Sequence, residues 1–269
     1  MKISKIFSKI ENTFNAEFNN CENINKEQLV NYCNKYWFKD VTENTCRCYL
    51  QYINMYLSQK NINCKLNVTD FKVRSTKEGL VTKEELMSYI DVLDNEQDKF
   101  ILYALFNDVS GTQIEDLRTL KVEQVDLENK KIILSDKEIK MDDVMVQLVE
   151  GAIKQDSYEL IKFSENASVA TYNFNMNCDY IIKNRPTKTN GMGLDAMKYD
   201  AFRKRLKTIS QYLDNNVTPD LLIKSGYAYE VYKQYGADAT YSQIEKMVKE
   251  KGMKAGIRTV VSAYRELYK

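Results

Sequence analysis

The stretch Ser110-Gly111-Thr112-Gln113-Ile114-Glu115-Asp116-Leu117-Arg118-Thr119-Leu120, followed by Val122 and Val125-Asp126, marks the point where the texture of the chain changes. Upstream, from about Gln97, the segment containing Phe100, Ile101, Leu102, Ala104, Leu105 and Phe106 is apolar on most sides, a pattern that suits a helix at the centre of a domain. Downstream, Leu120 to Val125 leads into Asp126-Leu127-Glu128-Asn129-Lys130-Lys131-Ile132-Ile133-Leu134. There Val125–Leu127 and Ile132–Leu134 flank a polar turn and read as a hairpin. Ser135 to Asp142 is polar, and Val144 to Leu148 reads as a third short strand or the start of a helix.

Further out on the N-terminal side, Val81-Thr82-Lys83-Glu84-Glu85-Leu86 has the form of a capping box, with Thr82 as N-cap and Glu85 three residues on. Leu86, Tyr89, Ile90 and Leu93 continue that helix. The charged stretch Lys72 to Gly79 reads as a linker, with a small helical domain before it. In that domain Ile3, Ile6, Phe7, Ile10 and Phe14 have helical spacing, and Asn25 to Val30 opens a second helix. Thr42 caps a third, which carries Cys46, Tyr49, Leu50, Ile53, Tyr56 and Leu57 on one face. Asn67 to Asp70 starts a short helix. On the C-terminal side, residues 149–163 read as helical and Tyr180-Ile181-Ile182 as a strand. Asp195 to Leu213 forms a helix, and Pro219 opens another at its first turn. Two or three helices follow, the last from Arg258 to Tyr268. The fold class is therefore mainly α with a small antiparallel meander, in two units, 1–74 and 80–269.

Composition narrows the chemistry. The 269 residues contain only 2 Pro and 9 Gly, too few for a turn-rich β fold. There is no His, which excludes Ser–His and Cys–His couples and His-ligated metals. Of the 6 Cys, Cys46 and Cys48 form a C-x-C pair without a second ligand pair, so they read as reduced thiols and not as a zinc site. No cofactor or metal is expected. No apolar run is long enough to span a membrane, and Met1 to Phe14 lacks the apolar core of a signal peptide, so a soluble cytoplasmic chain is expected. The net charge of +1 gives no global nucleic-acid signature, so such a reading rests on where the charge sits.

The order of elements resembles the tyrosine recombinase, or phage-integrase, family over nearly the whole chain. Thr42-Glu43-Asn44-Thr45-Cys46-Arg47-Cys48-Tyr49-Leu50 is similar to the T-x-x-T-x-x-x-Y helix of that family's core-binding domain. The opening stretch is similar to its T-G-x-R-x-x-E-L-x-x-L box, with Gly111 at the turn glycine and Gln113 where the family has its catalytic arginine. The segment Leu221-Leu222-Ile223-Lys224-Ser225-Gly226-Tyr227-Ala228 is similar to the family's L-R-H-T-F-A box, with Lys224 in the arginine position and Leu221 where a histidine belongs. The resemblance puts the meander lysine at Lys137, or at Lys140, and the nucleophile at Tyr264, or at Tyr268. Both arginines and all histidines are missing from the set. Glutamine cannot form the charged bidentate contact that holds a phosphate in the transition state, and losing one such contact costs about 100- to 1000-fold in rate. The resemblance thus implies a scaffold that binds DNA without cutting it. The same pattern of loss is similar to the lysogeny repressors of SP-beta-like prophages.

The candidate DNA contacts lie where basic residues gather. Lys198, Arg203, Lys204, Arg205 and Lys207 fall on one helix, with Lys183, Arg185 and Lys188 shortly before and only Asp195 and Asp200 as nearby acids. In the N-terminal unit the helix from Thr45 offers Arg47, Gln51 and Asn54 away from its apolar stripe, Lys60 and Lys65 add phosphate-contact candidates, and Thr45, Lys137, Lys140 and Lys224 complete the set. The plainer reading of each is a solvated surface, and of Tyr264 a packing residue. The expected partner is double-stranded DNA, in the nucleoid of a bacterial host. The expected role is a transcriptional regulator; a strand-cleaving recombinase and a protein-binding partner of a recombinase are the alternatives. The apolar stripes of the C-terminal stretch, Ile244, Met247, Val248, Val260, Val261, Tyr264 and Leu267, either close the chain's own core or self-associate by filling a neighbour's groove. A protein or peptide antagonist would be the releasing partner.

Overall fold

The computed structural model describes residues 5–19, 24–39, 41, 43–73, 79–161 and 170–269. Its first three helices are α1 (Lys5–Phe18), α2 (Lys26–Tyr36) and α3 (Glu43–Gln59), followed by a single helical turn at Val68–Asp70. Asn25 caps α2 by accepting from the Gln28 amide, while the Gln28 side chain accepts from the Asn25 amide. Thr42 and residues 74–78 of the expected linker lie outside the described residues.

The expected box at Thr82 and Glu85 opens α4 (Lys83–Val92): Thr82 accepts from the Glu85 amide, and Glu85 accepts from the Thr82 amide at 2.8 Å. α5 (Glu96–Phe106) is buried along almost its whole length, as its apolar composition requires. A short helix, α6 (Glu115–Arg118), precedes the meander of β1 (Val125–Asp126), β2 (Lys131–Ile133) and β3 (Glu138–Lys140). The order is β1-β2-β3, all antiparallel, with Val125 opposite Ile132 and Ile132 opposite Ile139. The third strand therefore lies inside the polar stretch 135–142. Val144 to Leu148 is helical, within α7 (Asp143–Lys154), because Asp142 caps the Met145 amide and Met145, Leu148, Val149 and Ala152 share a buried face.

Helix ends at Lys154, short of the expected 163. A second antiparallel pair follows, β4 (Ser157–Glu159) with β5 (Thr171–Asn173). Alternate tyrosines explain it: Tyr158 and Tyr172 lie opposite one another and stack at 5.3 Å. The strand expected at Tyr180–Ile182 is reduced to a bridge between Tyr180 and Lys121. The basic helix is α8 (Tyr199–Tyr212). Pro219 starts α9 (Pro219–Tyr235) behind a Thr218 cap, and α10 (Tyr241–Glu250) and α11 (Ile257–Tyr268) finish the chain.

Helices α5 and α9 cross at the centre. The crossing is close enough that a Cβ on Gly226 would lie 1.7 Å from the Phe106 carbonyl oxygen. One buried cluster runs without a break from Ile6 in α1 to Leu222 in α9, so the N-terminal helices share a core with the elements after residue 79. A smaller cluster joins Leu80, Tyr227 and Val231 to Ile244, Met247, Val260 and Tyr264. The C-terminal stripes thus serve the chain's own core, the first of their two expected uses.

Candidate nucleic-acid interface

The turn at Gly111 fixes the first half of the site. Gly111 has φ +71°, and a Cβ there would meet the Asp116 carboxylate at 2.6 Å. Gln113 and Ile114 are also left-handed, at φ 53° and 59°, and the Gln113 side chain is exposed. Arg118 secures this turn: its Nε donates to the Gln113 carbonyl at 2.9 Å, and its Nη1 to the Met197 carbonyl at 2.6 Å, just before α8. The basic helix is thereby tied to the turn that the resemblance marks as catalytic. Arg118 lies inside the same stretch, five residues after Gln113, but its role is invisible in the sequence because both partners are backbone carbonyls, one of them at Met197.

Lys137 reaches the same neighbourhood, but its charge is taken. Its Nζ sits 2.5 Å from Asp108 Oδ2 and 2.9 Å from the Asp108 carbonyl oxygen. Ser110 donates to the other Asp108 oxygen at 2.9 Å. Burial raises the Tyr227 phenol, and the nearby Asp108 charge adds to it. Burial also holds the Asp116 carboxyl above its ordinary value. Lys254 approaches Asp136 at 3.7 Å. Asp108 is thus satisfied by an internal cation, whereas Asp116 keeps one buried oxygen without a hydrogen-bond partner among the described residues. Asp108, just upstream of the turn, was not among the sequence-derived site residues.

Lys224 pairs with Asp220 one turn earlier, at 2.5 Å. Tyr264 is fully buried; its hydroxyl donates to the Gly236 carbonyl at 2.7 Å and accepts from the Ala239 amide at 3.0 Å. It therefore pins the turn before α10 onto α11 and offers no oxygen to a phosphate. Tyr268 stacks on Tyr232 at 4.4 Å.

The expected DNA contacts divide by burial. On α8, Arg203, Lys204 and Lys207 are exposed, as are Lys198 at its cap and Arg185 and Lys188 before it. Arg203 lies over the Tyr199 ring at 5.7 Å, and Arg118 lies over the same ring at 6.0 Å. Three expected contacts are corrected. Arg205 points inward, its Nε 2.6 Å from the fully buried Asp98 and its plane over Tyr158, because its position on α8 faces α5. Lys183 is buried, and its Nζ donates to the Ala152 and Ile153 carbonyls at 3.1 and 2.9 Å, satisfying the C-terminal end of α7. Thr45 is buried in the first turns of α3, on its apolar side. In the N-terminal unit Arg47 and Gln51 are exposed one turn apart, and Arg47 pairs with Glu43 at 2.5 Å. Lys60 approaches Glu11 at 3.6 Å, and Lys140 is exposed on β3.

A family model described as "MrpR, C-terminal catalytic domain" matches residues 80–263. The chain belongs to this family. The match begins at Leu80 and takes in α4 through most of α11, so the Gln113 turn, Lys137 and the basic face of α8 all lie in the MrpR domain. A curated relative, the SPbeta prophage-derived uncharacterized protein YopR of Bacillus subtilis (strain 168), is 24% identical over 255 residues, 87% of this chain and 77% of that protein. Among solved structures, XerA recombinase has a TM-score of 0.45 at 13% identity, covering 99% of this chain and 88% of that one. The Tn1549 transposon integrase in complex with a circular intermediate DNA has a TM-score of 0.44 at 10% identity, covering 95% and 94%. No helix among the described residues is long and apolar enough to cross a membrane.

Proposed function

We propose that this MrpR-family chain is a sequence-specific, duplex-DNA-binding regulator of a prophage, built on a tyrosine-recombinase scaffold that no longer cuts. The observation that carries the reading is the exposed basic face of Lys198, Arg203, Lys204 and Lys207, set beside a turn where Gln113 replaces the arginine and Lys137 is held by Asp108. Such a face neutralises phosphates, releases their counterions and sets the protein's register on the duplex. Cutting would need a nucleophile and charged phosphate ligands. Tyr264, which the resemblance puts at the nucleophile, is locked in the core, and Lys137, which it puts at the meander lysine, is already paired. Occupancy of an operator is then the whole mechanism: lytic genes are blocked while the protein is bound.

Genome-wide immunoprecipitation in a lysogenic host, followed by gel shifts on the strongest peak at several salt concentrations, tests the reading. A few sharp promoter peaks, with affinity falling steeply in salt and no covalent protein–DNA product on a nicked suicide duplex, are expected. A covalent tyrosyl product would make the chain a recombinase. Absence of any shift would leave a protein-binding role.

A further inference from the structure

Two helices that carry exposed DNA-contact candidates, α3 and α8, meet directly. Tyr52, on α3, is 4% exposed; its hydroxyl donates to the Val92 carbonyl at the end of α4 (3.1 Å) and meets the hydroxyl of Tyr212, the last residue of α8. The two rings are edge to face at 6.2 Å, and Phe7 of α1 packs edge-on against Tyr52 at 6.0 Å. Beside this joint Arg47 reaches Asp214, just past the end of α8, at 3.9 Å. Along α8, Arg203 and Lys207 lie on one face, and Asp214 is two turns beyond Lys207. Arg47, with Gln51 one turn further along α3, therefore lies at the C-terminal end of the helix whose exposed side chains include Arg203, Lys204 and Lys207. Separating α3 from α8 would expose a core that runs through both units and take from the partly buried Tyr212 phenol its Tyr52 partner, while Tyr52 kept the Val92 carbonyl.

We propose that the Tyr52–Tyr212 joint stays closed when DNA binds and fixes the register between α3 and α8, so that Arg47 and Gln51 read the duplex at a set distance from Arg203, Lys204 and Lys207. Tyr52 and Tyr212 are positioning residues in this scheme and touch no DNA. The proposal rests on the DNA-binding reading above. It adds that the spacing between base contacts and phosphate contacts is built into the free protein, which lowers the ordering cost of binding. The Arg47–Asp214 pair is the exchangeable part, since a phosphate can replace the exposed aspartate.

Hydrogen exchange of the full chain, with and without the operator duplex, tests the joint. The variant Tyr212→Phe keeps the ring and removes one hydroxyl, and Tyr52→Phe is its counterpart. In the free protein, Tyr212→Phe is expected to speed exchange in α3 roughly fivefold, the size expected for one hydrogen bond. With DNA bound to the wild type, α3 amides facing α8 are expected to keep or gain protection. Operator affinity of Tyr212→Phe should fall several-fold, while affinity for unrelated duplex and the salt slope stay the same. Faster exchange in α3 on DNA binding, or tighter operator binding by Tyr212→Phe, would overturn the proposal by making the joint a latch that opens. Unchanged exchange in both variants would also overturn it. If the wild type binds no duplex, the functional reading fails, and the exchange rates of the free variants still decide whether the joint is rigid.

Discussion

Asp98 has no exposed surface, and three groups converge on it or on its neighbour. Tyr158 donates to one carboxylate oxygen at 2.8 Å and Arg205 Nε to the other at 2.6 Å, while Arg205 Nη1 donates to Gln97 at 3.1 Å. The ion pair locks α8 against α5, and with it the direction in which Arg203, Lys204 and Lys207 point. Replacing a buried partner leaves the other charge uncompensated, at a cost of about 3–5 kcal/mol. Asp98→Asn is therefore expected to lower the urea midpoint strongly with little change in m-value; a loss within 0.5 kcal/mol would show that Arg205 has another way to be solvated. Tyr264 makes a second, opposite prediction. Among the described residues its hydroxyl serves the turn before α10, so Tyr264→Phe should cost about 1 kcal/mol of stability and leave DNA affinity where it was. A variant that keeps its stability but loses a covalent DNA product of the wild type would return Tyr264 to catalysis.

At the level of elements, α8 is where sequence and structure can be compared most closely. The run Arg203-Lys204-Arg205 is visible as charge, but charge alone does not say which residue faces the core. That depended on Asp98, more than a hundred residues away, which reads in the sequence as an ordinary first-turn acid of α5. Helix starts were legible at the local caps Asn25, Thr82 and Pro219, but not at Asp142 or Thr240, whose caps open α7 and α10 just as well. The β4–β5 pair was not, because its strands are three residues long and are held together by tyrosines distant in sequence. The turn glycine of the box, Gly111, was legible, whereas the acid that neutralises Lys137 was not, since Asp108 gains its role only through the turn. The revised face gives the third prediction. Arg203→Ala, Lys204→Ala and Lys207→Ala together should weaken DNA binding at low salt and reduce the salt slope by up to about 2.7, at 0.9 per phosphate contact. The fold should be retained, because all three side chains are exposed. An unchanged slope in this triple variant would move the interface off α8.

For the whole molecule, burial rather than surface charge sets the response to pH. With no histidine in the chain, the groups that titrate far from their ordinary values include buried thiols and phenols. Burial pushes Cys33, Cys46 and Cys48 up to about 12 from an ordinary 9.0, and pushes Tyr32, Tyr49 and Tyr212 up to about 12 from 10.0. All six lie in, or pack against, the one core that joins the N-terminal helices to the rest. In the folded chain each group keeps its proton to higher pH than in the unfolded chain. Above pH 9 the unfolded state therefore binds fewer protons, and stability falls as pH rises. The contribution is complete below the unfolded values and is lost by about pH 12. Each thiol adds at most about 1.4 kcal/mol per pH unit within that window, so three of them are large against a typical stability of about 5–15 kcal/mol. Urea midpoints measured under reducing conditions at pH 8, 9, 10 and 11 should fall slightly between the first two and with increasing steepness after that. Because Tyr212 belongs both to this set and to the joint between α3 and α8, the protection of α3 amides relative to the intrinsic base-catalysed exchange rate should fall over the same interval. A midpoint that stays level to pH 11 would mean that the thiols are reached by water in the folded chain, and that the shared core is looser than its packing implies.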